Sequence, residues 1–399
     1  MRRSTERILT THGGRLPEPS TAGKLQEARA GGEAVQAAEL LRQGIVEMAR
    51  AQRERGIDIM SDGEFHKPGL RDPRYLDGRC SGIIHRKAEP GEALWFGARS
   101  PEMLDPQYRG FFEFIEQCGM FPDAGARRSG HAASSQRLCV AGPLEYRGKD
   151  TIRQELALVS SALQSTGIDP AETFYPQLAP GWLGHFLFNE HYASAEAYWY
   201  ALAEAWRGEY EAVVEAGFIL QLDDPALADK FYMFNPPLTI EEYRRDAALR
   251  IEVTNHALRN IPEERIRYHV CWGSWHFPHT RDIPLRAIID LLLQVKAQAY
   301  CIEASNARHV ADYHIWRDVG LPEGKILIPG VVGHATSNLV ESPEVVAERL
   351  VQYAKIVGRE NVIAGTDCGL GGRCHRDIAW AKLGALAEGA ALATQRLWR

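Results

Sequence analysis

A single (β/α)8 TIM barrel is the fold this 399-residue sequence predicts, and three observations predict it. Eight short apolar runs punctuate the chain. Each ends in glycine, proline or polar residues, as a buried parallel strand does on entering a loop. Amphipathic segments of helix-forming composition separate most of them, and regular alternation over eight units favours a closed barrel over the runner-up, an open doubly wound sheet. The length is no obstacle, because α/β barrels routinely exceed the usual domain size.

The runs, in order, are RILTTH (7–12), GIDIMSDGE (56–64), QRLCVAGP (136–143), FILQLDDP (218–225), RYHVCWG (267–273), AYCIEAS (299–305), KILIPGVV (325–332) and NVIAGTDCG (361–369). A ninth candidate, ETFYPQLAP (172–180), carries two prolines and is assigned to a loop. Among the helices, the segment from Ser194 stops at Gly217, a natural C-terminal stop. Another opens with Ser342 as its cap and Pro343 at its first position. The whole chain, 1–399, is expected to form one catalytic barrel. Residues 66–136 break the rhythm with Pro, Gly, Arg and aromatic residues. Following the second strand, this stretch is expected to be a long inserted loop, either a lid or oligomer arm over the barrel mouth or a plain surface insertion.

A formal net charge of −6 gives no reason to expect nucleic acid or an anionic membrane as partner. The N-terminal stretch MRRSTERILTTHGG has no apolar signal core, and no run is long enough to span a bilayer. Seven scattered cysteines (Cys80, Cys118, Cys139, Cys271, Cys301, Cys368 and Cys374) fit reduced thiols, some of them ligands, and a cytoplasmic protein. The oligomeric state, a homo-oligomer included, stays open.

Active sites of such barrels lie where strands end. The polar residues there are His12 and Arg15, Glu64, Asp223 and Asp224, His269 and Cys271, Glu303, His334, and Asp367 with Cys368. His269 and Cys271 stand two apart on one strand and so face the same way. Glu303 interrupts an apolar run, where an unpaired carboxylate would be costly. With Cys368 they make a His, Cys, Glu, Cys shell suited to tetrahedral Zn²⁺. Singly, each also has a packing reading. His276 and His279 in WHFPHT are assigned to pocket lining or structure, and Cys374 and His375 to the rim. Trp272 and Trp275 either stack on a bound ring or pack.

HVCWG, IEAS and GTDCGLGGR, in that order, resemble the cobalamin-independent methionine synthase superfamily. TTHGGRLP, DIMSDGEF, VAGPLEY and LQLDDPALA match further parts of its pattern. The likeness runs from Ile8 to about Arg373 and is closest to small single-barrel members, among them epoxyalkane:coenzyme M transferase-like proteins. It implies a zinc site of His269, Cys271, Glu303 and Cys368, with Glu64 and Asp223 holding the ammonium group of homocysteine. Two departures matter. Arg15 stands where the family has a carboxylate-binding serine, and an arginine can clamp a carboxylate or sulfonate bidentately. The family's proton-donating histidine follows an aspartate that is missing before His334.

Two thiolates and a carboxylate on a 2+ ion make a net anionic site, which favours thiol activation over hydrolysis. The expected function is a zinc-dependent S-alkyltransferase whose zinc-held thiolate attacks an electrophilic carbon. The first choice is methyl transfer from a methyltetrahydrofolate to homocysteine or a similar small thiol. The alternative is epoxide opening by an acidic thiol such as coenzyme M. In these readings His12, Arg15, Glu64, Asp223 and Trp272 bind substrate, and His334 supplies a proton, with His279 second. A non-catalytic zinc- or thiol-binding protein is the alternative of another class. Porphyrinogen decarboxylation is disfavoured because it leaves the four ligands unexplained.

Overall fold

The computed structural model describes residues 1–67, 76, 78–117, 136–273, 278–334 and 339–399. Its centre is a curled seven-stranded parallel sheet. In chain order the strands are β1 (Leu9–Thr10), β4 (Phe174–Leu178), β6 (Ile219–Asp223), β7 (Ile266–Val270), β8 (Ala299–Glu303), β9 (Ile326–Val332) and β10 (Ile363–Thr366). A separate small sheet holds β2 (Cys80–Lys87), β3 (Gln136–Tyr146) and β5 (Leu187–Asn189). The large sheet runs β1-β10-β9-β8-β7-β6-β4, every pairing parallel.

Both edges of that sheet meet one segment. Asp58 and Ile59 donate backbone N–H bonds to Thr10 at 3.1 and 3.0 Å, and Thr11 pairs with Ile59 in a parallel bridge. On the other edge, Phe174 donates to the carbonyl of Met60 at 3.0 Å. The second apolar run of the sequence therefore contacts both β1 and β4.

Two strand assignments need correction. QRLCVAGP lies in β3, which pairs antiparallel with β2 and parallel with β5, outside the large sheet. Only Leu138, Cys139 and Val140 of β3 are buried, whereas β7 and β8 are buried at every position. Conversely, the stretch read as a loop supplies β4. Pro176 is tolerated there because side chains and amides alternate along a strand. Its missing N–H shares the side on which Phe174 bonds Met60, the outer side of β4, which ends the large sheet.

The insertion is not structureless among the described residues. It contains β2, which pairs with β3, and helices Pro101–Leu104 and Arg109–Gln117. Residues 68–75, 77 and 118–135 lie outside the described set. The segment touches the mouth: Glu102 Oε1 accepts from the backbone N–H and hydroxyl of Thr280, at 2.8 and 2.6 Å.

The two faces of the large sheet separate cleanly. Tyr175, Leu220, Leu222, Tyr268, Val270, Tyr300 and Ile302 pack outward in the main core with the helices. Leu9, Ile59, Phe174, Ile219, Ala299, Cys301, Ile326, Ile328 and Ile363 form an inner apolar cluster. Reading along the strands in steps of two, the inner face passes from this cluster through Gln221 and Arg267 to Asp223, His269 and Glu303. Arg267 closes the middle layer by donating to Thr11 Oγ1 and the His12 carbonyl, both at 2.9 Å. Apolar packing at one end thus supports a polar constellation at the other.

The helix ends follow the sequence signals. Ser194 Oγ accepts from Ala197 N–H to open helix Ala195–Glu215, and Gly217 follows it at φ 93°. Ser342 and Pro343 start helix Pro343–Val357 as expected. Among the described residues no helix is long and apolar enough to cross a membrane.

Candidate functional site

Three of the sequence-selected ligands meet at the strand ends. Candidate donor atoms of His269, Cys271 and Cys368 all lie within 4.8 Å of one another. His269 is on β7, Cys271 immediately follows it, and Cys368 follows β10. His269 is 2% exposed, yet among the described residues neither ring nitrogen has a hydrogen-bond partner. A buried imidazole normally has such partners, and a metal ion would satisfy one nitrogen.

The charges suit a cation. The Cys271 thiol and His269 ring beside Cys368 hold its pKa well below the usual thiol value, against the effect of burial. The Cys368 sulfur, followed by burial, raises that of Cys271. Cys368 is therefore the first of the pair to become a thiolate. Burial disfavours the His269 imidazolium, but the neighbouring Cys368 thiolate outweighs it and the net shift is upward. Two soft sulfurs and one imidazole fit zinc.

Glu303, the fourth candidate ligand, falls in an adjoining buried group with His334 and Asp367. Its Oε2 accepts from the backbone N–H of Trp272 at 2.8 Å, and Oε1 from Asn306 Nδ2 at 3.1 Å. Asp367 reaches across the intervening β9 to β8: its Oδ1 accepts from the backbone N–H groups of Ala304 and Ser305 at 2.8 and 2.9 Å, and Oδ2 from the Ser305 hydroxyl. Gly330 on β9 makes the crossing possible, since a Cβ there would lie 2.4 Å from Asp367 Oδ1. Burial, then Glu303, pushes the Asp367 carboxyl up to about 8. His334 is 1% exposed, and neither ring nitrogen has a partner among the described residues. Burial lowers its pKa.

Trp272 is fully buried, donates Nε1–H to the Ile283 carbonyl at 2.8 Å and stacks on His309 with centroids 3.8 Å apart. The sequence reading had passed over His309. Burial opposes its imidazolium, but Asp282 and Asp312 outweigh burial and hold the pKa at about 9. His279 Nδ1 lies 3.0 Å from Asp282 Oδ1. Trp275 and His276 lie outside the described residues.

Carboxylates and cations line the other side. Burial, partly offset by Lys67 and Arg15, raises the Glu64 pKa. Burial likewise brings Asp223 up to about 7, with Glu64 and Cys368 adding to the rise. These mutual influences put Glu64 and Asp223 within electrostatic reach of Cys368. Glu64 has φ 57°, a left-handed conformation that costs a non-glycine residue about 1–3 kcal/mol. Arg15 Nη2 donates to the Lys67 carbonyl at 2.9 Å. His12 instead bonds Gln52 Oε1 at 2.9 Å and packs 5.0 Å from the Phe174 ring, and burial lowers its pKa to about 4.

Two other cysteines and an aspartate have different settings. Cys301 belongs to the inner apolar cluster. Cys374 Sγ lies 3.6 Å from the Leu370 carbonyl, and His375 caps helix Arg376–Leu397. Asp224 Oδ2 accepts from the Tyr268 hydroxyl at 2.7 Å.

A family model described as the catalytic domain of cobalamin-independent synthase matches residues 188–391. A methionine synthase of Thermococcus kodakarensis is 25% identical over 225 residues, covering 56% of this chain and 58% of that protein. That match spans little more than half of the relative. A 2-hydroxypropyl-CoM lyase of Xanthobacter autotrophicus is 24% identical over 378 residues, covering 88% of this chain and 84% of the lyase. A B12-independent methionine synthase from Shewanella sp. W3-18-1, solved in complex with selenomethionine, has the same fold. Its TM-score is 0.66 at 17% identity, over 98% of this chain and 99% of that one.

Proposed function

The chain belongs to the cobalamin-independent synthase catalytic-domain family, and from that premise we propose that it is a zinc-dependent S-alkyltransferase acting on a small thiol. The observation that carries the reading is the convergence of His269, Cys271 and Cys368 around a buried imidazole with no hydrogen-bond partner among the described residues. We assign Glu303 as the fourth ligand, on a closed (β/α)8 barrel whose second strand is the segment around Ile59. Zinc bound there would lower the pKa of a substrate thiol while leaving its sulfur nucleophilic.

The chain's own residues do the rest. Cys271, Cys368 and Glu303 supply negative charge at one side of the pocket. Glu64, Asp223 and Arg15 orient the thiol's polar tail at the other. The thiol gives up its proton, its sulfur bonds to the donor's carbon as that carbon's bond to the leaving atom breaks, and the leaving atom takes a proton; His334 is assigned that last transfer. The insertion around residues 80–117 forms a wall of the mouth through Glu102 and Thr280.

Methyl transfer from a methyltetrahydrofolate to homocysteine or a related thiol is the first reading. Epoxide opening by an acidic thiol is the second, supported by Arg15 beside Glu64 and by the lyase match along most of the chain. Metal analysis of the purified protein is the test: about one zinc per chain in the wild type, almost none in Cys368→Ser, and no change in Cys301→Ser. A zinc-free wild type, or two mutants that behave alike, would sink the proposal.

A further inference from the structure

Glu64 and Asp223 are partly buried carboxylates within electrostatic reach of one another and of Cys368, and such a pair calls for a cation. The chain already supplies one. Lys67 Nζ lies 3.8 Å from Glu64 Oε2, donates to the Pro176 carbonyl at 2.8 Å and sits 3.7 Å from the centroid of the Tyr175 ring. Lys67 is only 9% exposed, and this three-sided hold fixes its ammonium before any ligand arrives. Arg15 also acts on Glu64. The nearby Asp62 is occupied, accepting from the Glu64 backbone N–H at 3.1 Å and pairing with His66 Nε2 at 2.7 Å. Asp223 Oδ1 accepts from Gln221 Nε2 at 2.7 Å.

We propose that Lys67 is a built-in ammonium group that occupies the Glu64 side of the pocket, so that the thiol taken here carries an anionic tail and no amino group. A ligand ammonium would have to displace Lys67 and approach two like charges, whereas a carboxylate or sulfonate would meet Arg15. This rests on the thiol-transfer reading and deepens it, favouring within it an acidic thiol over homocysteine.

Two probes that differ only in the amino group separate the cases: 4-mercaptobutanoate and L-homocysteine, titrated calorimetrically into the zinc-loaded full chain. The wild type is expected to bind 4-mercaptobutanoate at least about tenfold more tightly, a comparison that needs no variant to fold. Lys67→Met should move the ratio about tenfold toward homocysteine. Arg15→Ser should weaken both probes and move their ratio less than Lys67→Met does. Wild-type preference for homocysteine, or a ratio indifferent to Lys67→Met, would overturn the role of Lys67 while leaving thiol transfer standing. Binding of neither probe to zinc-loaded wild type would overturn thiol transfer itself, and this inference with it.

Discussion

Two buried polar clusters of this chain differ in one respect. Around Arg250 every guanidinium nitrogen is occupied: Nε by Asp246 at 3.0 Å, Nη1 by the Ala226 carbonyl at 3.0 Å and Nη2 by the Tyr243 hydroxyl at 3.1 Å. Tyr243 in turn donates to the carbonyls of Ala226 and Leu227. Around His269 and His334 four ring nitrogens have no partner among the described residues. Both clusters are buried, so burial alone does not mark a site. Unspent donors gathered beside soft sulfur and carboxylate atoms are the more telling mark, since buried polar atoms normally find partners. Unspent atoms alone do not suffice, because those of His185 and Asp229 also lack a hydrogen-bond partner among the described residues.

The largest effect should come from breaking the closed cluster. Arg250→Met leaves Asp246 without its main partner and is expected to cost about 3–5 kcal/mol, measured by denaturant unfolding. His269→Leu, measured the same way in metal-free protein, should cost less, about 1 kcal/mol, since the ring has the neighbouring Cys368 thiolate to lose but no hydrogen-bond network around its nitrogens. Equal losses would erase the distinction between the clusters.

A smaller effect tests the border between them. His309 stacks on Trp272 beside the site and stands between the two kinds: its Nδ1 bonds Asp312 Oδ2 at 3.0 Å, while its Nε2 has only an ion-pair contact with Asp282 Oδ2 at 3.5 Å. Its pKa of about 9 in the fold exceeds the unfolded value of about 6.5. The stability it adds is therefore fully present below about pH 6.5 and lost as pH rises through 9. That contribution is at most about 3 kcal/mol. Wild-type stability should fall between pH 6.5 and 9.5 more steeply than that of His309→Gln. Parallel profiles would show that the ion pairs contribute nothing.

The sequence made the proposed metal corner legible because His269, Cys271 and Glu303 interrupt apolar strands, where a polar side chain needs a reason. Strand identity was harder. Pro176 hid β4, since a proline reads as a break unless the side of its missing N–H is known. β3 passed for a strand of the large sheet because three buried residues look alike in either sheet. Lys67 and His309 went unnoticed for another reason. Their importance lies in partners such as Pro176, Tyr175 and Trp272, which only the folded chain brings close.

The subtlest test concerns Gly330, an inconspicuous residue within ILIPGVV. Asp367 passes over it from β10 to the amides just beyond Glu303, while the next residue, Cys368, belongs to the other ligand group. One side chain thus ties the positions of two proposed ligands together. Gly330→Ala would place a Cβ 2.4 Å from Asp367 Oδ1 and 2.5 Å from its Cα, so the tie must shift. If the tie sets ligand geometry, zinc affinity measured by chelator competition should fall about 10–100-fold, and Asp367→Ala should do the same. Overpacking alone would instead lower stability by about 1–3 kcal/mol and spare the affinity. The two readouts separate a strand staple from a device that holds open donors in place for a metal.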